Sequence, residues 1–150
     1  MVKLHQSSDM NEEKSRLRES GLASFSNKEL LQKALAFSVS DDVRSQDSVF
    51  LIACVARNRL GRDIAWEFFK EHQTMLKERY DSGFLLSCLV KSVSERFLTE
   101  DMAKTIEKYF EENQMPGSER NVSQAVETIR LNAAWLARDG AAIASFFSDY

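Results

Sequence analysis

Proline and glycine are scarce in this chain, one and five among 150 residues, against average shares of about 5% and 7%. A sandwich or barrel needs frequent turn residues, so the scarcity favours an all-α chain. Histidine and cysteine are equally thin, two of each. Two cysteines do not make a disulfide framework at this length, and a reducing, cytoplasmic setting is expected. No long hydrophobic run is present. Val49 to Ala56 is the longest, far short of the roughly 20 residues of a membrane span. Met1 to Asp9 turns polar at once and lacks the apolar centre of a secretory leader. Excess positive charge is missing too. A net charge of −3 argues against a nucleic-acid or anionic-membrane partner, either of which selects a basic face.

What is there reads as one packed helical unit over residues 1–150. Hydrophobic residues make up 43% and charged residues 29%, ordinary globular usage for a single domain. Asp9 with Glu12, and Ser26 with Glu29, match the reciprocal pattern that satisfies the orphan amides of a helix start. Leu30, Leu31, Ala34 and Leu35 then form a helical stripe. The segment from Gln46 to Arg57 is apolar almost all round. Val49–Val55 has no second strand to pair with, so it is expected as a buried helix. Gly61 breaks the chain before a long helix that carries Ile64, Ala65, Phe68, Phe69, Met75 and Leu76 on one face.

Asp81-Ser82-Gly83 is turn chemistry, with Gly83 open to positive φ. Phe84, Leu85, Cys88, Leu89 and Phe97 restart the apolar stripe. Thr99 is expected to cap a helix running to about Asn113, and Met115-Pro116-Gly117-Ser118 is the clearest break. Val122, Ala125, Val126, Ile129, Ala133 and Leu136 mark the next helix. A last short helix, with Ile143, Phe146 and Phe147, is expected to begin at Asp139 or Gly140. The expected architecture is thus about eight helices, antiparallel pairs stacked as a HEAT/armadillo-like α-solenoid.

Catalytic chemistry finds little to stand on. There is no His-Glu-x-x-His motif. His72 has no second imidazole one turn away, and His5 lies in the polar leader. Cys54 and Cys88 sit in apolar stretches that leave a thiol inert. Glu12-Glu13, Asp41-Asp42 and Glu111-Glu112 read as caps or solvated faces. Trp66 and Trp135 read as packing anchors. Asn132 interrupts its helix stripe, either to bond a neighbouring loop or helix end or to meet a ligand. Arg44, Arg57 and Arg62 suit a peptide carboxylate, or else plain solvation and pairing with nearby acids. No catalytic, cofactor-binding or metal-ligating residue is assigned, and the peptide-contacting residues are left unassigned.

Several segments, in register, carry a resemblance. They are Lys3-Leu4-His5, Asp9-Met10-Asn-Glu12-Glu13-Lys14, Val43-Arg44-Ser45-Gln46-Asp47 and Gly61-Arg62-Asp63-Ile-Ala-Trp66-Glu-Phe68-Phe-Lys70. Arg79-Tyr80-Asp-Ser-Gly83-Phe84, Glu119-Arg120 and Asn132-Ala-Ala-Trp135-Leu136-Ala-Arg138-Asp139 continue the series. Together they resemble the C-terminal helical domain of the puromycin-sensitive aminopeptidase family, over nearly the whole chain. Ser45 stands where the family often has proline, a mild change in a helix's first turn. Cys54 stands where a small residue is more familiar.

The resemblance implies a zinc aminopeptidase whose catalytic domain, with its His-Glu-x-x-His helix and Gly-x-Met-Glu-Asn loop, is not represented in these 150 residues. It implies that zinc belongs to that other domain and that this chain holds no cofactor. It also implies a HEAT-like stack that walls the substrate chamber, contacts peptide and supports domain closure. The remaining domains of the parent enzyme and peptide substrates are the implied partners. The alternative is a free-standing helical adaptor that binds peptides or a partner protein, in which Leu30, Leu31 and Leu35 would need covering.

Overall fold

A computed structural model describes residues 21–80 and 83–148. Among the described residues every regular element is helical. A 3-10 turn, Leu22–Ser24, precedes seven α-helices: α1 Lys28–Ser38, α2 Ser45–Arg57, α3 Arg62–Glu71, α4 Gln73–Tyr80, α5 Phe84–Ser94, α6 Glu100–Glu112 and α7 Glu119–Ser148. The Asp9–Glu12 cap and residues Asp81 and Ser82 lie outside the described residues.

Local chemistry accounts for several boundaries. Thr99 caps α6 by accepting a hydrogen bond from the Met102 amide at 3.3 Å, and Asp101 sits in the first turn at the positive end of the helix. The cap of α1 is Asn27, not Ser26: its side chain accepts from the Leu30 amide at 3.1 Å. Asn offers the same acceptor one residue later and ranks with Ser as a cap. The positive-φ glycine is Gly117, at 82°, in the turn before α7. Gly83 has φ −96° and simply precedes α5.

Two helix boundaries differ from expectation. The long helix after Gly61 is broken at His72, where φ −106° and ψ 13° leave the helical range. The imidazole Nδ1 lies 3.0 Å from the Phe68 carbonyl, and the ring stacks on Phe68 with centroids 4.2 Å apart. In contrast, α7 runs unbroken through Asp139 and Gly140. One helical glycine costs only about 1 kcal/mol against alanine, and the alanines at 133, 134, 137, 141, 142 and 144 favour continuation.

The contacts set the helices in two rows. In one row α2 packs on α5, and α5 packs on α7. In the other, α1 packs on α3, and α3 meets α6 through Trp66, whose ring lies 5.1 Å from Tyr109 and 5.9 Å from Phe110. Across the rows α1 packs on α2, α3 and α4 on α5, and α6 on α7. One continuous apolar cluster runs through the helices, including Leu31, Leu35, Ile52, Trp66, Phe69, Leu89, Ile106 and Ile129. Leu31 and Leu35 therefore need no outside partner. Phe84, expected on the buried stripe, is 80% exposed, whereas Leu86 takes the buried position.

Polar clamps join the rows. The half-buried Arg79 guanidinium donates from Nη1 to the Val39 carbonyl at 2.7 Å and from Nη2 to the Val43 carbonyl at 2.8 Å. It thereby satisfies the chain between α1 and α2, which has no helix partners of its own. Beside it the buried Tyr80 and Ser48 hydroxyls are hydrogen-bonded. The Asn58 carboxamide donates to the carbonyls of Ala23 at 2.9 Å and Phe25 at 3.0 Å, and accepts from the Leu60 amide at 2.9 Å.

Candidate functional site

Among the described residues His72, Cys54 and Cys88 form no metal-binding cluster. His72 closes α3, with its ring held by Phe68, so it is a helix terminus and not an open helix face. Among the described residues both cysteines are thiols. Burial pushes the Cys88 thiol above its ordinary value, and Lys91 offsets this only in part. A raised thiol is a poor source of thiolate at neutral pH. Among the described residues no three His, Cys, Asp or Glu side chains group as a metal would require. His72 and the apolar settings of the cysteines do not fit zinc, and no step is assigned to a metal here.

The two tryptophans part company. Trp66 is buried in the aromatic cluster of α3 and α6, as expected of an anchor. Trp135 is 50% exposed on α7, so it does not anchor packing among the described residues. It belongs to a larger feature. Beyond Ile129, α7 carries Leu131, Trp135, Leu136, Ile143, Phe146 and Phe147, all exposed, with Phe147 at 71%. The α7 residues that are buried lie in the first half: Ala125, Val126 and Ile129. That half is clamped by Arg130, which donates to Glu107 at 2.8 Å and Glu100 at 3.2 Å. These bonds, Glu107 first, hold its guanidinium above its ordinary value. Asn121 fixes the other side by donating to the Ser87 carbonyl at 3.0 Å.

Two clefts flank this frame. The larger, about 800 Å³, lies between α6 and α7 and combines Phe110, Met115 and Val126 with Glu107, Glu111 and Glu127. The smaller, about 390 Å³, joins the end of α2, the α2–α3 connection, the end of α5 and the middle of α7. It gathers Arg57, Arg62 and Asn132, residues 75 positions apart at the extremes, and adds Arg59 and Arg96, which sequence reasoning missed. The signal was present in Arg57-Asn58-Arg59-Leu60-Gly61-Arg62, three arginines around one connection. Arg44 stands elsewhere and pairs with Asp47 at 2.8 Å, the plainer of its two expected roles.

Aminopeptidase M1-B of Oryza sativa subsp. japonica is 32% identical over 136 residues, covering 91% of this chain and 15% of the relative. Aminopeptidase N of Bos taurus is 30% identical over 150 residues, with 97% and 15% covered. The thyrotropin-releasing hormone-degrading ectoenzyme of Homo sapiens is 34% identical over 136 residues, with 89% and 12% covered. The chain thus spans about 15% of the length of the first of these relatives. A model of the ERAP1-like C-terminal domain matches residues 1–131. With that match running over most of its length and an all-helical fold, the chain belongs to the ERAP1-like C-terminal domain family.

Proposed function

We propose that the chain is a non-catalytic part of the C-terminal domain of a cytosolic zinc aminopeptidase. In this reading residues 1–150 form a single helical unit, a short HEAT-like solenoid of the pairs α1–α2, α3/α4–α5 and α6–α7. It shapes the substrate chamber, contacts the peptide and supports closure during removal of N-terminal residues. Its contribution is positioning and gating, which raise rate without acid–base groups of their own. Zinc, in this reading, is held by the catalytic domain of the parent.

The observation that carries the reading is the exposed apolar half of α7. An exposed helix half carrying Trp135, Phe146 and Phe147 is the kind of surface that marks an interaction face. Its occupants here are the remaining domains of the parent enzyme. Among the described residues no helix is long and apolar enough to cross a membrane.

The test is the size of the native polypeptide in its source, followed by peptide-specific detection on a denaturing gel. A band far above 17.2 kDa, with tryptic peptides that include a His-Glu-x-x-His segment, is the expected result. A band at 17.2 kDa overturns it in favour of a free-standing helical adaptor. The purified 150-residue chain is expected to release no N-terminal residue from an aminoacyl substrate with or without added zinc. Zinc-dependent release by that chain would overturn the non-catalytic assignment.

A further inference from the structure

The smaller cleft has a charge opposite to that of the chain. Acids outnumber bases overall, 23 against 20, yet this cleft collects Arg57, Arg59, Arg62 and Arg96 with Glu95 as its only carboxylate among the described residues. Glu95 is already committed: it lies 3.4 Å from the Arg96 guanidinium and 4.0 Å from Lys91. Among the described residues neither Arg57 nor Arg59 has an ion-pair partner.

One of these arginines is also held in place. Arg62 donates from Nη1 to the Arg96 carbonyl at 2.6 Å, and its guanidinium sits 5.7 Å from the centroid of the buried Phe97 ring. Those contacts fix its orientation and, among the described residues, leave the rest of its donor fork unused. Asn58, between Arg57 and Arg59, spends its carboxamide on Ala23, Phe25 and Leu60. It therefore anchors the backbone that presents the two arginines, while Asn132 supplies a carboxamide from the opposite wall.

We propose that this cleft binds a multiply charged oxyanion, a ligand bearing phosphate or carboxylate groups. The planar guanidinium matches both groups through paired parallel hydrogen bonds, which an ammonium does not. A volume of about 390 Å³ equals roughly a dozen waters at ~30 Å³ each. That exceeds one inorganic phosphate and suits a ligand with two anionic groups. Ala56 and Leu98 provide apolar wall for the atoms that join them. The site owes nothing to the aminopeptidase reading and stands or falls separately.

The experiment is calorimetric titration of the 150-residue chain, at low ionic strength, with pyrophosphate in one arm and succinate in the other. Saturable binding at one site per chain is expected for at least one of them. Pyrophosphate alone would identify a phosphate-bearing ligand, and succinate of equal or greater affinity a carboxylate-bearing one. Arg57→Gln with Arg59→Gln is expected to weaken binding at least tenfold. Lys104→Gln with Lys108→Gln, which alters exposed cations of α6, is expected to leave it unchanged. Arg59→Lys keeps the charge and loses the fork, so a severalfold loss is expected. That variant decides the matter should the double variant lose its fold by circular dichroism. Absence of saturable binding in both arms overturns the proposal. So does an equal loss in the arginine and lysine variants, or undiminished affinity in Arg59→Lys.

Discussion

Gly61→Ala tests the packing of the α2–α3 connection. Gly61 has φ −93° and ψ −20°, a conformation any residue adopts, so its identity is a matter of space. An added Cβ would sit 2.3 Å from the Val55 carbonyl oxygen and 2.9 Å from Val55 Cγ1. Ordinary van der Waals contact needs an opening of about 1 Å more. The obstacle is backbone on both sides, and the Val55 carbonyl is further held by the Asn58 amide at 3.0 Å. Overpacking of this kind costs about 1–3 kcal/mol, and the rigidity on both sides points to the upper end. Loss of glycine's freedom in the unfolded chain offsets about 0.4–1 kcal/mol.

The expected net loss is about 2–2.6 kcal/mol, or about 4–10 °C in Tm for a chain of this size. Urea unfolding reads it as a lower midpoint at unchanged slope. Gly140→Ala is the internal control. There the nearest atom is Leu136 Cδ1 at 3.1 Å, the tip of an exposed side chain that can swing aside. Helix propensity then predicts a gain of about 0.5–1 kcal/mol. A Gly61→Ala chain as stable as the parent would refute the account in which the Val55 carbonyl dictates residue 61.

Other outcomes follow from the clamps. Arg79→Met removes the donors to the Val39 and Val43 carbonyls and leaves the connection between α1 and α2 without this clamp. At about 1.5–3 kcal/mol for a charge-assisted bond, discounted for partial exposure, the expected loss is about 2–4 kcal/mol. Denaturant unfolding measures it, and a loss below about 0.5 kcal/mol would contradict the clamp. Burial lifts the Tyr80 and Tyr109 phenols above their ordinary value of 10.0. The unfolded chain then releases these protons first, so their contribution is whole below about pH 10 and declines as pH rises through the folded values. Tyr80→Phe is expected to lower stability near neutrality by about 1 kcal/mol, through loss of the Ser48 bond, and to flatten the alkaline decline. A decline of unchanged steepness in that variant would assign it to other groups.

The legibility of the fold was uneven for physical reasons. Stripes such as Leu31, Ala34 and Leu35 announce themselves because a helix repeats its buried face every three to four residues. The break at His72 does not, since no proline or glycine stands there and the bend is held by a ring–carbonyl contact. Gly140 misled in the opposite sense, because a glycine's cost is small beside a run of alanines. The amphipathic pattern of α7 beyond Ile129 was read correctly as apolar, but a pattern does not say what covers it. The arginine cleft was half visible. Arg57, Arg62 and Asn132 were each noticed, yet their meeting depends on α2, α5 and α7 lying side by side, a relation between distant segments that no local spacing encodes.

The unequal surroundings of the two tryptophans have an optical consequence. Trp66, enclosed by Phe69, Tyr109 and Phe110, is shielded from a dissolved quencher such as acrylamide, whereas Trp135 on the α7 surface meets it. A single emission spectrum therefore contains two reporters. The blue, unquenched part follows the integrity of the helical core. The red, quenchable part follows whatever comes to rest on α7, so engagement of that face registers as protection of one fluorophore while the other stays silent.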